Sequence, residues 1–297
     1  MPASLMMIAA TFLFATMGVC VKLASEFYDA SEIVMYRGLV GVVAMALLAR
    51  SQRLSLKTAV PAMHFWRSLS GVLALSLWFY SIGKLPLATA MTLNYMSSVW
   101  MALFLIGGAV MLGSARVDGR LVFAVLLGFA GVALVLRPTI DQQQLWHGLA
   151  GLLSGMLSAL AYLQVTSLGR AGEPEIRIVF YFSMGGVAAG ALTSLASSSW
   201  HAHSLRGVAL LLAVGLLATA AQLLMTRAYG RGKPLVNASL QYLGIVFSFI
   251  YGALLFHDAI TVSALAGMAL IIAAGLAATQ LRARSTPADS QHSVTES

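Results

Sequence analysis

Apolar residues are grouped along this chain into long, continuous stretches that short polar connections separate. Ten such stretches lie at residues 5–25, 31–50, 61–82, 87–110, 120–137, 147–168, 175–196, 206–227, 234–256 and 261–281. Each has roughly the 20 residues that an apolar α-helix needs to cross the hydrocarbon core of a bilayer. The strands of a membrane β-barrel are only about ten residues long and alternate strictly between polar and apolar positions. The pattern therefore predicts an all-α integral membrane protein with ten transmembrane helices.

Composition and charge placement agree with this prediction. Of the 297 residues, 59% are hydrophobic and 9% are charged, which excludes a soluble globular protein. The net charge of +8 does not indicate nucleic-acid binding, because the basic residues cluster in alternate connections. If the N-terminus is cytoplasmic, the cytoplasmic side carries Arg50, Arg53, Lys57, Arg67, Arg116, Arg120, Arg170, Arg177, Arg227, Arg231, Lys233, Arg282 and Arg284. The opposite side carries Lys22, Lys84, Arg137 and Arg206. The positive-inside rule then places both termini in the cytoplasm.

One stretch of the sequence occurs twice, 147 residues apart. GKLPLATAMTLNY at residues 83–95 aligns without a gap with GRGKPLVNASLQY at residues 230–242. Asn94 falls on Gln241, and a tyrosine follows in both copies. Each copy joins the third helix to the fourth in a set of five, and an odd number of spans inverts the second set relative to the first. Inverted repeats are typical of secondary transporters, whose solute site lies between the repeats near the midplane.

The repeat predicts how the chain is divided. Residues 1–138 form the first five-helix repeat, 139–146 the connecting loop, 147–281 the second repeat and 282–297 a disordered cytoplasmic tail. The fifth helix of each repeat has no hydrogen-bonding side chain over residues 121–136 and 264–278. These helices are therefore expected at the periphery, as a scaffold in a monomer or as the contact surface of a homodimer.

Several of these features together resemble the EamA-type members of the drug/metabolite transporter superfamily. They are the ten spans in two halves, the short basic tail, the pair Tyr36-Arg37 early in the second helix, and the glycines Gly128, Gly131, Gly267 and Gly275 in the last helix of each half. The resemblance implies a transporter of the bacterial inner membrane, most similar to exporters of amino acids, including aromatic ones. Many members carry proline in the fourth and ninth helices, where this chain has Ser98 and Ile245. That departure removes the usual reason to expect a kink in these helices.

Polar and aromatic side chains within the predicted helices are the candidates for binding a solute. Polar groups inside a membrane protein face the bundle or a cavity, and the amides are the costliest to bury. The predicted site residues are Trp78, Tyr80, Asn94, Tyr95, Ser98, Ser158, Tyr162, Gln222, Ser239, Gln241 and Tyr242. A neutral cavity lined by amides and aromatic rings suits a zwitterion or a small polar aromatic solute. We expect the chain to keep its cations in the connections, which disfavours phosphorylated solutes.

Arg37 is an exception, because it lies about six residues inside the second predicted helix. We expect it to extend to the outer interface and pair with Glu26 or Glu32; the alternative is that it faces the cavity and binds a carboxylate. No carboxylate is predicted at mid-membrane, which favours facilitated transport. Coupling to protons through His64, His257 or Asp258 near an interface is the alternative.

Other classes of protein are less consistent with the sequence. A membrane-embedded enzyme would need a catalytic constellation such as HExxH or GxSxG, and neither occurs. His201 and His203 flank an alanine without a nearby third ligand, so we predict no metal and no cofactor. A translocase for lipids or drug-like solutes remains an alternative, because it would use the same fold.

Overall fold

The computed structural model describes residues 2–111, 142–197, 200–232, 236–237, 240–258 and 261–284, together with positions 120, 123, 126–128, 130–131 and 134. Its helices are α1 (Ala3–Ala24), α2 (Ala30–Ser51), α3 (Pro61–Lys84), α4 (Leu87–Tyr95), α5 (Ser97–Met111), α6 (Gln142–Arg170), α7 (Glu175–Ser197), α8 (Leu205–Arg231), α9 (Leu243–Leu255) and α10 (Val262–Arg284). No β-strand occurs within these residues. The predicted all-α fold is therefore confirmed. Most of the predicted fifth helix and the tail beyond residue 284 lie outside the described residues.

The helices have the length and surface of membrane spans. Among the described residues, five helices are long and apolar enough to cross a membrane: α1, α2, residues Leu145–Arg170 of α6, α7 and α8. Large apolar side chains such as Leu47, Leu192 and Leu216 are exposed on the outside of the bundle. A soluble monomer rarely exposes so much apolar surface, whereas lipid covers it in a membrane protein. The chain is thus an integral membrane protein.

Three long helix pairs form the centre of the bundle. α2 packs along α7, α1 along α8 and α3 along α6. The α2–α7 crossing is close because it uses glycine on both helices. A Cβ atom on Gly190 would lie 2.6 Å from the Ser31 carbonyl oxygen, and one on Gly38 would lie 2.7 Å from the Ser183 carbonyl oxygen. Small residues allow membrane helices to approach in this way, without a hydrophobic driving force between them.

The predicted fourth span is interrupted at its centre. α4 ends at Tyr95 and α5 begins at Ser97, with Met96 in a turn between them. A second turn, at Gln241 and Tyr242, precedes α9. The two turns are adjacent in the repeat alignment, because Gln241 and Tyr242 correspond to Asn94 and Tyr95, directly before Met96.

The interruption at Met96 forms without proline. The Thr92 hydroxyl group donates a hydrogen bond to the Ala88 carbonyl oxygen (2.6 Å). The Met96 amide group is shared between the carbonyl oxygens of Thr92 (3.2 Å) and Leu93 (3.3 Å). Hydroxyl groups that bond to the preceding turn bend membrane helices. The hydrogen bond of the Thr92 hydroxyl group therefore accounts for an interruption that was not expected from the sequence, because proline is absent there.

Candidate functional site

A small cavity, lined by both apolar and polar side chains, lies in the centre of the bundle beside the end of α4. Its volume is about 40 Å³. The lining residues are Met7, Thr11, Phe14, Arg37, Arg67, Gly71, Ala74, Leu75, Trp78, Asn94, Tyr95, Ser158, Ala161, Tyr162, Phe182, Gln222, Met225 and Gln241. A water molecule needs roughly 10–15 Å³ by this measure, so the cavity has room for a few waters but not for an organic solute. The cavity must therefore widen to bind one.

Most of the predicted site residues share this one cavity. Those in the lining are Trp78, Asn94, Tyr95, Ser158, Tyr162, Gln222 and Gln241. They come from α3, α4, α6 and α8 and from the turn before α9, which places both halves of the sequence around one space. The fold thus brings together most of the amides and aromatic rings that the sequence marks as buried.

The other predicted residues lie elsewhere. Tyr80 is 41% exposed, and its ring contacts His147 at 5.3 Å on the outside of the bundle, so its placement in the cavity was wrong. The reason is helical phase: Tyr80 follows Trp78 by two residues and points away from it. Ser98 and Tyr242 are buried but are not in the lining. Ser239 lies outside the described residues.

Asn94 organises the polar side of the cavity. Its side-chain nitrogen donates hydrogen bonds to the hydroxyl oxygens of Ser154 (2.9 Å) and Ser158 (3.2 Å) on α6. Tyr162, one turn beyond Ser158, stacks its ring on Tyr229 of α8 at 5.2 Å. These contacts hold the last turn of α4 against α6 and orient the amide.

The expectation that the cations stay in the connections was wrong. Arg37 and Arg67 are 4% and 2% exposed, and both line the cavity. Arg37 does not pair with Glu32, because Glu32 instead contacts His201 (2.5 Å). Its guanidinium group reaches Gln222 at 3.5 Å. The alternative reading of Arg37, in which it faces the cavity, is the one that the structure supports.

Arg67 enters the cavity because α3 provides a groove for its side chain. One turn further along, Gly71 contacts the Arg67 guanidinium group so closely that a Cβ atom there would overlap with it. On the other side, the guanidinium carbon lies 4.2 Å from the centre of the Phe182 ring. The sequence held a signal for this placement: Arg67 lies inside the predicted span 61–82, with glycine one turn later.

The two arginines carry charges that the protein only partly compensates. Nε of Arg37 and Nε and Nη1 of Arg67 are buried without a hydrogen-bond partner. None of the described lining residues is acidic. Leaving a buried charge without its partner destabilises a protein by about 3–5 kcal/mol, whereas a desolvated cation–π contact stabilises it by only about 2 kcal/mol. The cavity is thus electropositive and suited to an anionic group.

The lining follows the sequence repeat. Adding 147 to the number of a lining residue in the first half often gives a lining residue in the second half. The pairs are Thr11 and Ser158, Phe14 and Ala161, Leu75 and Gln222, Trp78 and Met225, and Asn94 and Gln241. The arginines break this correspondence, since Met184 and Val214 stand at the positions equivalent to Arg37 and Arg67. The positive charge therefore comes from the first half alone.

Polar contacts close one end of the bundle around Glu173, which lies between α6 and α7. Its carboxylate accepts hydrogen bonds from Thr58 (3.0 Å), His64 (3.0 Å) and Arg177 (3.0 Å). We call these four residues the Glu173 clasp. Burial acts to raise the pKa of Glu173, but the hydrogen bonds from His64, Arg177 and Thr58 outweigh it and hold the pKa below its usual value. The clasp joins the connection before α3 to the connection before α7.

The Glu173 clasp is expected to withstand mild acid. A carboxyl group whose pKa is lowered by folding contributes stability above its unfolded pKa and loses it as the pH falls through the folded value. Wild-type protein should therefore be more stable than Glu173→Gln, by about 3 kcal/mol, from pH 8 to pH 5. The difference should disappear only below about pH 4. Thermal unfolding of both proteins in detergent measures it, and a difference already lost at pH 6 would contradict the prediction.

A second set of contacts closes the opposite end. Lys22 donates a hydrogen bond to the Leu85 carbonyl oxygen (2.8 Å) and lies 3.8 Å from the Asp258 carboxylate. The other Asp258 oxygen accepts a hydrogen bond from the Leu87 amide group (3.0 Å). We call these four residues the Asp258 clasp. It joins the end of α1 to the connections before α4 and α10.

Comparison with known proteins agrees with the architecture. The sequence model of the EamA-like transporter family matches residues 1–137. The pseudopaline exporter CntI of Pseudomonas aeruginosa (strain UCBPP-PA14) is 30% identical over 92% of this chain and 94% of its own length. The S-adenosylmethionine uptake transporter of Rickettsia bellii is 25% identical over 75% of this chain and 74% of its own length. A solved crystal structure superposes with a TM-score of 0.67 at 18% identity, covering 94% of this chain and 97% of that one.

A helical membrane bundle with a central cavity that contains two buried arginines, and a clasp at each end, is typical of a multi-pass membrane transport protein. It is a transporter and not an enzyme, as its named relatives are. This chain belongs to the EamA-like transporter family.

Proposed function

We propose that the protein exports amino acids or closely related small metabolites across the bacterial inner membrane by alternating access. The observation that carries the proposal is the pairing of cavity residues across the 147-residue spacing. A site built from two equivalent halves is exposed to either side when the halves exchange conformations. The neutral character that the sequence predicted for the solute is not retained, because two arginines line the cavity.

The inverted repeat has further support beyond the cavity. The same spacing of 147 residues carries the end of α3 at Lys84 onto the end of α8 at Arg231. In the same alignment α1 corresponds to α6, α2 to α7 and α3 to α8. The packed pair α1–α8 therefore corresponds to the packed pair α6–α3, and the two helices of the α2–α7 pair correspond to each other. These correspondences favour two five-helix repeats of opposite orientation, with ten spans in all.

The two clasps are the proposed gates. The Glu173 clasp lies on the side that the positive-inside rule assigns to the cytoplasm, and the Asp258 clasp on the opposite side. In an occluded state both are closed. Opening the Glu173 clasp would admit solute from the cytoplasm, and opening the Asp258 clasp would release it. The direction of transport is proposed by analogy with the exporter that is 30% identical to this chain.

Counterflow of labelled amino acids into proteoliposomes tests the proposal. We expect saturable exchange that an imposed pH gradient does not drive, because the lining residues that the structure describes include no carboxylate. Trp78→Ala should reduce the exchange by about tenfold or more, the effect of losing a buried aromatic contact of about 2 kcal/mol. Tyr80→Ala is the matched control, since Tyr80 lies on the same helix but outside the cavity.

Two results would contradict the proposal. Equal losses in Trp78→Ala and Tyr80→Ala would mean that the cavity is not the binding site. Exchange of a lipid or a drug-like solute, with no exchange of any amino acid, would favour the alternative translocase of the same fold.

A further inference from the structure

The two cavity arginines converge on one aromatic ring. The guanidinium carbons of Arg37 and Arg67 lie 5.2 Å and 4.2 Å from the centre of the Phe182 ring. The separation between the two cations therefore cannot exceed the sum of these distances. Arg37 comes from α2 and Arg67 from α3, so the fold brings together two like charges that repel each other.

Nothing in the part of the chain that the structure describes neutralises this pair. Glu32 contacts His201, Glu173 is bound within its clasp, and Asp258 contacts Lys22 at the other end of the protein. Three guanidinium nitrogens of Arg37 and Arg67 have no hydrogen-bond partner among the described residues. Buried arginines are normally paired, so unpaired donors beside a cavity indicate that the partner comes from a bound molecule.

We infer that the cavity binds a small organic solute that carries two carboxylates, one for each guanidinium group. This inference rests on the proposed function and specifies the solute class for the same site. Two carboxylates supply one anionic partner for each guanidinium group, whereas a zwitterion with a single carboxylate would leave one guanidinium group without such a partner. Each guanidinium group presents a planar fork of donors that fits a carboxylate in a bidentate manner.

The rest of the lining suits an organic frame between the two carboxylates. Trp78, Phe14 and Leu75 supply apolar surface, and the amides of Asn94, Gln222 and Gln241 supply donors and acceptors. An amino group or amide group on the solute would donate hydrogen bonds to the carbonyl oxygens of these side chains. Gly71 contributes by leaving space for the Arg67 guanidinium group, so it is a positioning residue for the site.

Binding of L-glutamate and L-glutamine to the purified protein, measured by titration calorimetry, tests the inference. The two probes share one frame and differ by a single carboxylate. Glutamate should bind on the order of 100-fold more tightly, because only it satisfies both cations.

Arg37→Gln and Arg67→Gln should each remove this preference, and the double variant should bind neither probe measurably. Arg67→Lys should recover part of it, since it restores the charge without the fork. Arg170→Gln, an exposed site at the end of α6, is the matched control.

Thermal stability without solute separates a binding role from a structural one. If the role of the two arginines is to bind solute, each is an uncompensated buried charge while the cavity is empty. Removing that charge should leave the melting temperature of Arg37→Gln and of Arg67→Gln equal to or above that of the wild type. A lower melting temperature in both variants would indicate a structural role and overturn the inference.

The remaining outcomes distinguish this inference from the proposed function. Equal affinity for glutamate and glutamine, with counterflow of either, would overturn the two-carboxylate site and leave the transporter proposal intact. Tighter binding of O-phospho-L-serine than of glutamate would replace the second carboxylate with a phosphate and also overturn the inference. Binding of glutarate without exchange of any amino acid would support the two-carboxylate site and contradict the amino-acid proposal.

Discussion

Cross-linking cysteines introduced at positions 58 and 173 is expected to abolish transport almost completely. The Thr58 hydroxyl group lies 3.0 Å from a Glu173 carboxylate oxygen, and the pair joins the connections before α3 and α7. Alternating access requires these connections to separate whenever the cavity opens to that end. A covalent link would hold the end closed and leave the solute without an entrance. The experiment uses Thr58→Cys/Glu173→Cys in a Cys20→Ser background, because Cys20 is the single cysteine of the chain.

Counterflow is measured before cross-linking with a short, reducible reagent, after it, and again after reduction. Transport should be lost on cross-linking and recovered on reduction, while each single-cysteine variant should be insensitive to the reagent. The equivalent pair at the other end, Lys22→Cys/Asp258→Cys, should give the same loss for the opposite reason, because the solute would then lack an exit. Continued transport with the Glu173 end fully cross-linked would mean that the moving elements lie elsewhere in the bundle.

The membrane fold was predictable because it follows from one strong physical requirement. Backbone polar groups cannot remain unpaired in hydrocarbon, so long apolar stretches become helices whatever their detailed sequence. The predicted stretch at 61–82, for example, corresponds to α3 at Pro61–Lys84. The interruption at Met96 was not predictable in this way. It depends on the Thr92 hydroxyl group and on how closely α6 approaches, and neither is visible in hydropathy.

The neutral residues of the candidate site could be predicted from the sequence, whereas Arg67 was not predicted to lie in the site. Asn94, Gln222 and Gln241 could be selected because a buried amide in a membrane helix needs a partner or a cavity. Arg67 was assigned to the cytoplasmic side by the same rule that gave the topology. That rule counts charges near helix ends and does not distinguish a side chain that faces lipid headgroups from one that enters the bundle. The distinction depends on Gly71 and Phe182, which come together only in three dimensions.

One methyl group at Gly155 is expected to damage both the fold and the site. A Cβ atom there would lie 2.7 Å from the Leu93 carbonyl oxygen and 2.9 Å from the Asn94 carbonyl oxygen. Both are backbone atoms in the last turn of α4, so no side-chain rotation can relieve the overlap. Gly155→Ala should therefore destabilise the protein by about 3 kcal/mol, which is typical of overpacking against a rigid neighbour.

The same substitution should also impair transport, because the displaced turn carries Asn94, whose amide bonds to Ser154 and Ser158 in the cavity wall. Gly107→Ala on α5 is the matched control: it has open space around it and should be neutral or stabilising by about 0.5–1 kcal/mol, as alanine is in a helix. Thermal unfolding in detergent and counterflow measure the two effects separately. Equal behaviour of the two variants would mean that α6 does not restrain the α4 interruption. A selective loss in Gly155→Ala would tie the geometry of that interruption, and hence the orientation of Asn94, to the transport activity.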